Sequence, residues 1–193
     1  MNVPEATASE QDLRPNLAVL FGVGSAVALI SAMSLSWPLA LASTILGALM
    51  IAGAEVDART YLLPDSVTWS GIAFGILAAA ALNPFEPWLS AGTALARAAG
   101  TAFALVLLRW GYARIRGREG LGFGDVKLAA AVGAWLPLAL IPFCFTLATC
   151  AALVMVMFAR LRGESIDATA KLPFGAFLCP ALWLVFYAGE LSG

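Results

Sequence analysis

Two aspartates carry most of the chemistry this sequence can offer. Asp125 stands in Gly122-Phe123-Gly124-Asp125 at the start of an apolar run, and Asp57 stands at the end of another. A carboxylate entering lipid costs roughly 2.5–3.5 kcal/mol at a helix centre, so an acid at such a boundary is a functional candidate by default. Two carboxylates held close together do not ionise independently. One pKa falls, the other rises, and the pair shares one proton. The ionised member can take a proton from water while the protonated member donates to a peptide carbonyl. That is the chemistry of an aspartic protease. Neither role belongs to one residue, because the apparent pKa values belong to the pair. Read alone, Asp125 is as simply an N-cap. Gly122 and Gly124 allow close backbone approaches that a Cβ would hinder, which a loop beside an extended substrate needs.

Histidine is absent, with a count of 0, which removes imidazole bases, His-containing zinc sites and the Ser-His and Cys-His pairs. Cys144, Cys150 and Cys179 lie in apolar runs without Cys-x-x-Cys spacing and read as small core residues. Neither a metal nor a cofactor is expected. A net charge of −1 gives no sign of nucleic-acid binding.

The elements that must position the acids follow from composition. Of 193 residues, 61% are hydrophobic and 12% charged, and mean hydropathy is +0.88. That is too little charge for the polar shell of a soluble domain. The fold class is an all-α polytopic transmembrane bundle of about seven spans, within a range of six to eight. No charge separates Arg14 from Glu55, and one span needs about 20 residues, so Ser36-Trp37-Pro38 divides helix 1, about 17–36, from helix 2, about 38–56. Helices 3 and 4 fall at about 66–83 and 89–110. The uncharged run Leu128–Ala159 would make a helix of about 48 Å, so Pro137 and Pro142 divide helix 5, about 124–136, from helix 6, about 138–159. Helix 5 is too short to span without its neighbours. Helix 7 covers about 172–189.

With the N-terminus inside, every basic residue except Arg97 falls on the cytoplasmic side, from Arg14 and Arg59 to Arg160, Arg162 and Lys171. Merging helices 5 and 6 would send Arg160 and Arg162 outside. Residues 1–16 read as a short cytoplasmic tail of a single membrane domain, 1–193, because Glu5, Glu10 and Asp12 do not suit a secretory signal. This orientation brings Asp57 and Asp125 to one membrane depth. Helices packed about 8–10 Å apart could then join their side chains.

Other residues have two readings each. Asp65 is a third acid or the cap of helix 3, beside Ser66 and Thr68. Lys127 tunes the pair, helps retain substrate, or snorkels at the interface. Glu119 contacts a basic leader or is a solvated loop charge. Arg109, Arg114, Arg116 and Arg118 read as topology and headgroup residues. Arg97 snorkels outward or pairs with a polar group of a helix. Trp37, Trp88 and Trp135 suit an outer aromatic belt.

The stretch Glu119-Gly120-Leu121-Gly122-Phe123-Gly124-Asp125-Val126-Lys127-Leu128 resembles the signature of type IV prepilin peptidases, intramembrane aspartyl proteases with a Gly-x-Gly-Asp motif. Asp57 to Asp65, ending Pro64-Asp65, is similar to that family's first motif, and Leu172-Pro173-Phe174-Gly175-Ala176-Phe177-Leu178 resembles a further Pro-Phe-Gly element. The resemblance covers about residues 40–185. It implies catalytic Asp57 and Asp125, with Gly122, Gly124 and Lys127 supporting. It implies prepilin or pseudopilin substrates, each a basic leader followed by an apolar helix and cut at the cytoplasmic face of the bacterial inner membrane. Many members carry an added N-terminal region with paired zinc-binding cysteines that accompanies N-methylation. With the first span expected near residue 17 and no paired cysteines, the expected form is peptidase-only. The residues also suit an ion- or proton-coupled carrier or a non-catalytic assembly subunit. A carrier would place its acids near the midplane, and an assembly subunit would tolerate Asp-to-Asn changes.

Overall fold

The structure, a computed structural model, describes residues 15–117, 122–162 and 173–192. The tail through Arg14, together with Arg118, Glu119, Gly120, Leu121, Lys171 and Leu172, lies outside the described residues. Seven helices and no strand occur among the described residues: α1 (Leu17–Ser34), α2 (Trp37–Thr60), α3 (Asp65–Leu82), α4 (Pro87–Arg116), α5 (Phe123–Trp135), α6 (Ile141–Leu161) and α7 (Phe174–Ser192). All except α5 are long and apolar enough to cross a membrane. The chain is a multi-pass membrane protein.

Proline and left-handed residues set the boundaries. Pro38, beginning the Pro-Leu-Ala-Leu run of α2, and Pro87 and Pro142 each stand in a first turn, where their missing N–H costs nothing. Tyr61 ends α2 at φ 56, its N–H reaching back to the Asp57 carbonyl at 2.9 Å. Gly117 ends α4 at φ 67 in the same way, on Ala113.

The short helix α5 is the centre of the bundle. From Val126 to Trp135 every residue except Lys127 is buried. Its neighbours are α3, α4 and α7, while α2 packs on α1 and α7, and α6 packs on α7. A helix enclosed by protein does not have to match the bilayer. Its length of about 20 Å is enough, although the hydrocarbon core is roughly 30 Å thick. This explains why seven helices contain six candidate spans.

Trp135 departs from the expected outer belt. It is 7% exposed, its indole donates to the Gly71 carbonyl at 2.8 Å, and it meets Phe186 edge to face at 5.3 Å. Because α5 ends inside the bundle, its terminal tryptophan ends there too. Trp37 and Trp88 are exposed, as a belt requires.

Arg97 is also resolved, in favour of a polar partner. Pro137 has no N–H for the Gly133 carbonyl one turn before it. An unsatisfied carbonyl in an apolar interior is costly. The Arg97 guanidinium Nε donates to it at 3.3 Å. Gly133 permits the approach, since a Cβ there would lie 2.5 Å from the Arg97 carbonyl oxygen and 2.6 Å from the Thr101 hydroxyl. The obstruction is largely backbone, so α4 and α5 would have to separate. Gly133→Ala is therefore expected to cost about 1–3 kcal/mol, in the range of overpacking. It should appear as a lower Tm in detergent, and an unchanged Tm would show that the crossing has slack.

Candidate active site

Asp57 occupies the last turn of α2, in a span that packs along α7. It is 4% exposed. Its carboxylate accepts a hydrogen bond from the Ala176 N–H at 2.8 Å. Ala176 lies in the first turn of α7, where its N–H also reaches the Pro173 carbonyl at 3.2 Å and the helix dipole favours a negative charge. The Pro173-Phe174-Gly175 stretch thus starts a helix whose amino end receives Asp57. Gly175 is required for this, because a Cβ there would sit 2.9 Å from Asp57 Oδ2 and also strike the Leu63 side chain.

Asp125 is in the first turn of α5, a helix outside the six spans. Its carboxylate accepts from the Gly122 N–H at 3.2 Å. Gly122, rather than Asp125, is the residue at the cap position, with Asp125 three residues inside and reaching back. The capping interaction therefore coexists with the placement of the acid. Burial raises the pKa of Asp125 to about 6, opposed by the Gly122 hydrogen bond and reinforced by the charge of Asp57. The two acids are thus near enough to influence one another, at one end of the bundle. Leu63, in the α2–α3 connection, packs under both sides: a Cβ on Gly124 would lie 3.2 Å from its Cβ, and one on Gly175 would meet its Cδ1.

Asp65 does not cap α3. Pro64 holds the cap position, and Asp65, the first helical residue, pairs with Lys127 Nζ at 2.6 Å. The pair ties the start of α5 to the start of α3. With the Asp65 side chain 70% exposed, it is worth at most about 1 kcal/mol. Arg109 does more than mark topology, since its guanidinium lies 4.9 Å from the centre of the Phe123 ring, between the two motif glycines. Among the described residues, no group of three or more His, Cys, Asp or Glu side chains could hold a metal ion.

The sequence profile of the type IV leader peptidase family matches residues 44–157, more than half of the chain. The chain belongs to the type IV leader peptidase family. It is 28% identical over 176 residues to a prepilin leader peptidase/N-methyltransferase of Pseudomonas putida, covering 91% of this chain and 55% of that protein. The protein of the same name from Aeromonas hydrophila is 30% identical over 155 residues, covering 78% and 50%. That from Pectobacterium carotovorum subsp. carotovorum is 36% identical over 124 residues, covering 64% and 42%. The chain spans about half the length of these curated relatives. No solved structure matches it. The family match takes in Asp57, the Gly-x-Gly-Asp motif and Lys127, and stops short of Gly175 and Ala176. Sequence reasoning left those two and Leu63 without a role. The Pro-Phe-Gly element was the available signal, and its use becomes clear only when α7 meets Asp57.

Proposed function

We propose that this chain is an intramembrane aspartic endopeptidase that removes the basic leader from type IV prepilins or pseudopilins, using Asp57 and Asp125 as its catalytic pair. The observation that carries the reading is the convergence of two carboxylates from separate helices at one end of the bundle, each accepting from a backbone N–H at a helix amino terminus, in a member of this family. One proton is shared between them. The ionised carboxylate takes a proton from water, whose oxygen attacks the scissile carbonyl while the protonated carboxyl donates to the carbonyl oxygen. Collapse of the tetrahedral intermediate breaks the C–N bond. The amine leaves with a proton from the pair, and one water is consumed.

Arg59, Arg109, Arg114, Lys127, Arg160 and Arg162 cluster toward the helix ends on the dyad side, which supports a cytoplasmic location for that side and for the N-terminus, in a bacterial inner membrane. We read 1–193 as a single peptidase domain. Acids at one end of the bundle suit cleavage at a helix boundary, where a peptide carbonyl is free of intrahelical hydrogen bonds, better than ion carriage across the midplane. Incubating the purified protein with a prepilin in detergent should shorten the prepilin by its leader. Failure across several prepilins would remove this reading.

The raised pKa of Asp125 gives the sign of the pH dependence. The pair holds its last proton up to about pH 6 and loses it above. A pair with both members charged has no proton for the carbonyl. kcat/KM is therefore expected to fall as pH rises beyond about 6, approaching tenfold per unit. A flat profile from about pH 5 to 8 would contradict this.

A further inference from the structure

A cavity of about 510 Å³ lies against α2 between α1 and α7. Its walls are apolar: Val19, Val23 and Val27 form one stripe of α1, facing Met50 and Ile51 of α2. Its outer end is shut. There, Val27 abuts the Gly47 position, and the Trp183 indole, hydrogen-bonded to the Ser43 hydroxyl at 3.1 Å, closes the other side. The Ser31–Ser43 and Ser34–Tyr187 hydroxyl pairs, at 2.9 and 2.7 Å, hold α1 to α2 and α7 at this end. At the other end Glu55 accepts from the Asn16 N–H at 3.1 Å and pairs with Arg59 at 2.7 Å, fixing the start of α1 to α2. Val23 remains 48% exposed. The result is a groove with a stop at one end and a mouth at the other.

The mouth adjoins Asp57. Ala176 lines the groove and its N–H holds Asp57. Pro180, also in the wall, has no N–H for the Ala176 carbonyl, so that carbonyl lacks its helical partner beside the mouth. A peptide leaving the groove there would pass Ala176, whose N–H holds Asp57, and find an acceptor for a backbone N–H. From Gly47 at the stop to Ala58 at the mouth is about 16 Å, three helical turns. Ala54 and Ala58 on this floor and Ala176 on the facing wall let another backbone come close near the mouth, which an acyl chain does not require.

We infer that this groove holds the apolar helix behind the scissile bond of the substrate, seating its first three turns so that the bond emerges at Asp57. The inference rests on the peptidase reading and adds the subsite that selects a membrane-helix substrate. Two substrates separate the possibilities: a full prepilin, and a soluble peptide ending a few residues beyond the cut. Val23→Trp, at an exposed position remote from both aspartates, fills the groove. It is expected to raise KM for the prepilin about tenfold with kcat little changed, and to leave the short peptide unaffected. A photoreactive benzoylphenylalanine at Val23 should cross-link to the first turns of the pilin helix. The same probe at Leu29, 62% exposed and outside the groove, should not. Unchanged prepilin cleavage by Val23→Trp, equal effects on both substrates, or cross-linking to lipid alone would overturn the groove while leaving the peptidase reading intact. A wild-type protein that cleaves no prepilin would overturn both.

Discussion

Asp57→Asn and Asp125→Asn are each expected to lower kcat/KM for prepilin cleavage by about 10³-fold or more while leaving the protein folded. Asn preserves the shape of each side chain and keeps one oxygen for its N–H donor, Ala176 at 2.8 Å or Gly122 at 3.2 Å. What it cannot do is hold a negative charge or exchange a proton. If the pair works as a unit, the double variant should be no worse than the poorer single variant, because removing either member already ends the shared-proton cycle. The measurement is the rate at which purified variants shorten a prepilin, with Tm as the control for folding. A single variant cleaving within tenfold of wild type would sink the dyad mechanism. A double variant much worse than either single would show that each acid acts alone.

Much of this arrangement was legible in the sequence because charge and proline are strong signals in an apolar chain. The helices begin and end near the expected residues, since a hydrophobic run can be divided at only a few places. Depth alone suggested the proposed pairing of Asp57 with Asp125. Orientation around each helix axis was not legible. Alanine and glycine abundance makes most faces look alike, so nothing in the run after Asp125 announced that α5 would be enclosed on all sides. Trp135 was misassigned for that reason, and Asp65 because a first-turn acid and a capping acid differ by one residue. The role of Arg97 depends on a carbonyl that Pro137 deprives of its partner, which becomes apparent only when α4 lies beside α5. Leu63 and Gly175 serve the site by touching, and contact has no signature in composition.

Gly175→Ala is expected to reduce kcat/KM by about 10²-fold while lowering Tm less than Gly133→Ala does. The difference lies in what each new methyl would meet. At Gly133 it meets the backbone of Arg97, with the carbonyl carbon 2.7 Å away, so relief requires moving a whole helix. At Gly175 it meets side chains: Leu63, which can rotate, and the Asp57 carboxylate, with Oδ2 at 2.9 Å and Cγ at 3.0 Å. The carboxylate can yield only by leaving the Ala176 N–H, and a displacement of about 1 Å at a reacting group costs on the order of 10²-fold. The fold loses one hydrogen bond, worth about 1–2 kcal/mol, while the reaction loses its geometry. Measuring cleavage and thermal unfolding on the same preparations separates the two. A Tm drop matching that of Gly133→Ala, with activity falling only in proportion to the unfolded fraction, would make Gly175 a packing residue instead of the one that keeps Asp57 on the end of α7.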